Sequence, residues 1–255
     1  MWSKRVEPID ELAVARSLST QPGFAWLDAN RVEARDGRFS FLAAWPTDEI
    51  RVEFGNPRPF DALAEIGPSS VEVSTDGLGP ADVPEWIGYI AYDAFWSAPA
   101  RGKPRFERPG DPVVLFRRYP ALFAIDHESG EAWVVGDDET ACERLVTHVD
   151  AQGSTDWQIP KIGRVQVDDP SEHRQAIVTA LDYIAQGDVY EVNLARRWTA
   201  SFEGDALGLW QAMRLASRVP LGLFFAAADH SVLACTMERF IHWDVTTRSL
   251  VTKPI

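Results

Sequence analysis

The sequence predicts an α+β fold, with mixed, largely antiparallel sheets packed with helices. Two observations carry this. Short apolar segments of strand type follow one another with turn residues between them, and the clearest helices are inserted between groups of such segments instead of alternating with them. A third observation sets the scale. The chain has 255 residues, 45% of them hydrophobic and ten of them tryptophan, enough to bury a substantial core in one large or two smaller domains.

Taken in order, the first part is densely punctuated. Pro22-Gly23, Asp36-Gly37, Pro57 and Pro59, Gly67-Pro68, Asp76-Gly77, Gly79-Pro80 and Pro109-Gly110 are turn signals. Between them, residues 24–27, 38–43, 50–54 and 86–92 read as strands, and 113–116, 121–125 and 132–135 continue the pattern around a turn at 127–130. From 137 to 151, Ala141, Leu145, Val146 and Val149 recur at helical spacing. Residues 152–159 read as a loop, which places a boundary near residue 160, with one domain over 1–160 and a second over 161–255.

The second part opens on a well-marked helix. Asp169 suits the N-cap, Pro170 the first helical position and Glu172 a capping box. Ile177, Ala180, Leu181 and Ile184 form its apolar stripe, and Gly187 supplies the stop. Residues 189–198 alternate like a strand, with Tyr190, Val192, Leu194 and Trp198 on one face. A helix over 206–217 follows, then strands over 221–228, 232–243 and 250–255, joined by turns at Asp229-His230 and over 244–249.

Composition narrows the function classes. A formal charge of −13 argues against a nucleic-acid partner, because neutralising phosphates takes a clustered Lys/Arg surface. Two cysteines, Cys142 and Cys235, make neither a disulfide framework nor a zinc spacing. The longest apolar run, 221–228, is too short to span a bilayer, and the N-terminus lacks a signal-peptide pattern, so a cytoplasmic protein with no membrane partner is expected. Phosphate loops, dinucleotide fingerprints, nucleophile elbows and zinc-protease helices are all missing from the sequence.

What remains is a set of polar residues within apolar strand segments, and these carry a resemblance. Gly187-Asp188-Val189-Tyr190-Glu191-Val192-Asn193-Leu194 is similar to Gly-Asp-Ile-Tyr-Gln-Val-Asn-Leu, a signature of the chorismate-binding enzymes, the family of anthranilate synthase and aminodeoxychorismate synthase large subunits. Thr236-Met237-Glu238-Arg239-Phe240 resembles the family's Ser-Pro-Glu-Arg-Phe. Thr252-Lys253-Pro254-Ile255 resembles the first half of Thr-Arg-Pro-Ile followed by Lys-Gly-Thr or Ala-Gly-Thr. Gly23-Phe24-Ala25-Trp26-Leu27-Asp28 and Gly37-Arg38-Phe39-Ser40-Phe41-Leu42 look like the family's opening strands, and Trp86-Ile87-Gly88-Tyr89-Ile90-Ala91-Tyr92-Asp93 like its Gly-Tyr-x-x-Tyr-Asp strand.

The resemblance implies a component I fold and an enzyme that aminates chorismate at C4. Mg²⁺ would be its cofactor, and its ammonia would come from a glutamine amidotransferase. Glu238 would be the general acid that assists loss of the C4 hydroxyl, a task needing a carboxyl kept protonated by burial. On residues alone, Glu238 is either an exposed strand carboxylate or a buried one with a raised pKa. The family's attacking lysine and its Mg²⁺ glutamates would fall after Ile255, so the sequence reads as an N-terminal portion, inactive by itself and without metal ligands of its own. Asp28, Ala29, Ser40 and Pro220 fall where relatives build an effector pocket; Ala29 stands in place of a serine, which weighs against tryptophan feedback. The alternatives are anthranilate synthase component I, decided by the residue after Ile255, and a stand-alone domain that binds an aromatic effector or a partner protein.

Overall fold

A computed structural model describes residues 2–7, 10–30, 37–67, 83–97, 112–150, 158–244 and 247–253. In chain order the elements begin with β1 (Trp2–Val6), α1 (Glu11–Ser19), β2 (Ala25–Asp28), β3 (Phe39–Ala43), β4 (Asp48–Glu53), β5 (Trp86–Ile90), β6 (Pro112–Arg118), β7 (Ala121–Asp126), β8 (Ala132–Gly136) and α2 (Glu139–Asp150). Then come β9 (Lys161–Ile162), β10 (Gln166–Val167), α3 (Pro170–Gln186), β11 (Trp198–Thr199), β12 (Phe202–Glu203), α4 (Ala206–Ala216), β13 (Leu221–Ala226), β14 (Ser231–Thr236), β15 (Arg239–Asp244) and β16 (Ser249–Lys253). Turn signals at Asp36, Pro68, Asp76-Gly77, Gly79-Pro80 and Pro109-Gly110, most of the 152–159 loop, and Pro254-Ile255 lie outside the described residues.

The chain divides into two compact units. One comprises residues 1–156 and 210–255, the other 157–209. The first unit is built on a seven-stranded antiparallel sheet of order β1-β8-β7-β3-β2-β13-β14, with a three-stranded sheet β4-β6-β5 and the β15–β16 hairpin. This is the α+β architecture with mixed antiparallel pairing that the sequence predicts.

Alternation decides which side chains go where. Along β2, Ala25 and Leu27 join a cluster that includes Phe41, Ala124, Trp133, Val135 and Phe225 from the large sheet and Ile87 and Leu115 from the small one. Trp26, between them, points the other way and donates to Glu11 of α1. On that side α1 buries Ala13, Val14 and Leu18, and α2 buries Cys142, Leu145 and Val149. Within the small sheet, β5 lies so close to its neighbour β6 at Gly88 that a Cβ there would sit 2.1 Å from the Leu115 carbonyl oxygen. Only glycine fits.

The second unit contains α3 and two short strand pairs, β10-β11 and β12-β9. α3 ends as its sequence dictates. Asp169 accepts from the Ser171 N–H at 2.8 Å, and Gly187 adopts φ 80° at the C-terminus. Two departures from the sequence reading stand out. Residues 189–197 form no strand despite their alternation, and the predicted 232–243 strand is broken at Met237-Glu238 into β14 and β15. β1 and α1 had no counterpart in the sequence reading.

A candidate functional site on the opening strands

β2, the start of α1 and the C-terminal turn of α4 bring together a buried ionic cluster. Asp28 ends β2 and is 3% exposed. Arg214, on the α4 segment of the first unit, grips it with two hydrogen bonds, Nε to Oδ2 at 2.6 Å and Nη2 to Oδ1 at 2.7 Å. The same Nη2 reaches Glu11 Oε2 at 3.2 Å, and the other Glu11 oxygen accepts from Trp26 Nε1 at 3.0 Å. The guanidinium lies 4.5 Å from the Trp26 ring centroid, a cation–π contact in a dry setting. Two carboxylates thus share one arginine.

Electrostatics follow from that inventory. Burial pushes the Glu11 carboxyl above its ordinary pKa; Arg214 opposes the shift and the Asp28 charge adds to it. Burial alone would lower the Arg214 pKa, but the hydrogen bonds and charges of Asp28 and Glu11 override it and hold the guanidinium more firmly charged. Beside this cluster Ser40, fully buried, accepts from the Ala29 N–H at 3.0 Å and meets His127 Nε2 at 2.7 Å.

Asp28, Ala29 and Ser40, read from the sequence as effector-pocket candidates, are therefore neighbours. Pro220 and Asp28 both line a cavity of about 420 Å³, whose walls include Leu27, Phe41, Leu223 and Ala234. That size holds a one- or two-ring ligand. Asp28 reaches this cavity with both carboxylate oxygens already engaged by Arg214.

Glu238 lies apart from the buried cluster. It is exposed in the turn between β14 and β15, and its own N–H donates to Thr236 Oγ1 at 3.1 Å. Of the 187–194 signature, Leu194 is half-buried and the rest is exposed. Among the described residues no three His, Cys, Asp or Glu side chains converge to hold a metal ion, so these residues do not by themselves fit a Mg²⁺ site. No helix among them is long and apolar enough to cross a membrane.

Glu11, Arg214 and His127 escaped the sequence reading. Glu11 follows an N-capping Asp10 and precedes buried Ala13, Val14 and Leu18, a pattern that marks α1. Nothing in the sequence pairs Arg214 with a residue 186 positions earlier.

With this geometry in hand, likeness to known proteins is informative. The family model for chorismate binding enzymes matches residues 28–255. The chain is 27% identical over 254 residues to aminodeoxychorismate synthase component 1 of Klebsiella aerogenes, covering 91% of this chain and 55% of the relative. It is 22% identical over 218 residues to an anthranilate synthase component I-like protein of Synechocystis sp., covering 80% and 44% respectively. The chain therefore spans about half the length of these relatives. In fold it is similar to the crystal structure of anthranilate synthase component I from Streptococcus pneumoniae, with a TM-score of 0.66 at 21% identity, over 84% of this chain and 54% of that one. A match over so much of the sequence settles the family: the chain belongs to the chorismate binding enzymes.

Proposed function

We propose that this chain supplies the first part of an aminodeoxychorismate synthase component I, whose complete form replaces the C4 hydroxyl of chorismate with an amino group. The observation that carries the proposal is the family match over residues 28–255, in a chain about half as long as its relatives. The degenerate effector segment favours this reading over anthranilate synthase component I: Ala29 offers no hydroxyl, and Asp28 is held by Arg214.

Within the proposal Glu238 is the general acid. Proton donation calls for a desolvated carboxyl, and Glu238, exposed in the β14–β15 turn, would need a covering segment to supply that desolvation. The complete enzyme would draw ammonia from a glutamine amidotransferase and use Mg²⁺ held by residues other than those described here.

The test is twofold. Sequencing downstream of the Ile255 codon distinguishes the readings: an in-frame Lys-Gly-Thr supports aminodeoxychorismate synthase, and Ala-Gly-Thr supports anthranilate synthase. The 255-residue chain, given chorismate, ammonia and Mg²⁺, is expected to consume no chorismate. Turnover by this chain alone would sink the proposal that it supplies only part of the machinery.

A further inference from the structure

A second cavity, of about 290 Å³, opens against β5 and β14 within the first unit. Phe54, Tyr89, Val113 and Val232 give it apolar walls, and Asp93 and His230 are its ionisable lining. One wall carries an ordered relay. Asp229 Oδ1 lies 2.8 Å from His230 Nδ1, and His230 Nε2 lies 2.7 Å from the Tyr89 hydroxyl. The Tyr89 ring is itself wedged edge-on against Phe225 and His230.

The Asp229–His230–Tyr89 relay engages His230 at both ring nitrogens. Asp93, by contrast, is half-buried in the lining and makes no ion pair or hydrogen bond among the described residues. A carboxylate accepts, so a ligand that meets Asp93 must bring donors.

We propose that this cavity binds a small aromatic primary amine as its ammonium ion, with the charge on Asp93 and the ring among Phe54, Tyr89 and Val232. Size agrees, because a dry cavity of about 150 Å³ already holds benzene. A net charge of −13 concentrates cations and repels carboxylates. An ammonium against Asp93 and the Tyr89 ring gains both a charge-assisted hydrogen bond and a cation–π contact. The site is distinct from the 420 Å³ cavity and stands independently of the chorismate chemistry.

Three isosteric probes decide it on the unmodified chain by calorimetric titration: benzylamine, benzyl alcohol and benzoate. Benzylamine is expected to bind saturably, at least about tenfold more tightly than the alcohol, with benzoate not binding. Asp93→Asn should cost benzylamine about tenfold or more and leave benzyl alcohol unchanged. Equal binding of the three probes, no saturable binding of benzylamine, or full benzylamine affinity in a folded Asp93→Asn chain would each overturn the proposal. The probe series is run on the parent chain, so it decides the matter even if a substituted chain misfolds.

Discussion

At the scale of single residues, the Arg214 cluster is where substitution should be felt most. Two carboxylates and one guanidinium have left water together, so the remaining groups depend on every partner. Arg214→Leu would leave Asp28 and Glu11 buried without a counter-charge, at a cost of roughly 3–5 kcal/mol. The urea midpoint should fall accordingly, and adding Asp28→Leu should recover part of the loss. An unchanged midpoint in Arg214→Leu would mean the cluster is solvated. A second residue-scale prediction concerns acid. The Arg38 hydrogen bond, aided by the Glu128 N–H and the Ser129 hydroxyl, overcomes burial and lowers the Asp126 pKa from 3.8 to about 2. A depressed carboxyl stabilises the fold above its unfolded value and loses that contribution as the pH falls toward about 2. The shift corresponds to on the order of 1–2 kcal/mol once exposure of Arg38 is discounted. Arg38→Gln should flatten the stability–pH curve across that window, and a curve of unchanged slope would contradict this. Asp28, Ala29 and Ser40 entered the sequence reading through the family resemblance of the two opening segments, which pair here as β2 and β3. Arg214 did not, since only the pairing of β13 with β2 brings the end of α4 back to Asp28.

At the scale of elements, local signals succeed where local physics is sufficient. α3 has its N-cap, proline and left-handed glycine within its own sequence, and it forms as read. Asp169→Ala should lower the melting temperature, whereas Glu172→Ala should change little because Glu172 makes no hydrogen bond back to the Asp169 N–H. Gly88→Ala is a harsher test, since its methyl would collide with the backbone of β6, which cannot yield as a flexible side chain would. That variant should unfold at markedly lower urea than the parent, and equal stability would mean that the two strands lie further apart. The 189–197 segment shows the converse. Its alternation satisfies the strand pattern, yet no described strand pairs with it, and alternation without a ladder partner leaves backbone groups unsatisfied. The break at Met237-Glu238 has a similar origin, because two apolar segments flanking Thr236-Met237-Glu238-Arg239 do not reveal where the chain leaves one sheet for a hairpin of its own.

At the scale of the whole molecule, the distribution of apolar surface is uneven. The seven-stranded sheet is covered on both faces, and its largest side chains, such as Trp26, Phe123 and Phe225, are inaccessible. By contrast Phe240, Trp243 and Leu250 on the β15–β16 hairpin are exposed, as are Val178, Leu181 and Tyr183 on α3. The sequence could not foretell this difference, since both sets belong to equally apolar segments and burial is a property of what packs against them. A soluble monomer rarely displays contiguous apolar patches of this kind without a use for them. The hairpin is also a two-stranded sheet, marginal alone and open to pairing at its edge. The 255-residue chain is therefore predicted to self-associate through this face, with a sedimentation coefficient that rises with concentration and a fluorescent response to hydrophobic dyes. Phe240→Ser with Trp243→Ser should suppress both signals while the melting temperature of the first unit stays near that of the parent, because neither ring contributes to its buried core. Sedimentation independent of concentration, with no dye response, would place these side chains in a self-contained surface and weaken the proposal that a further segment covers them in the complete enzyme.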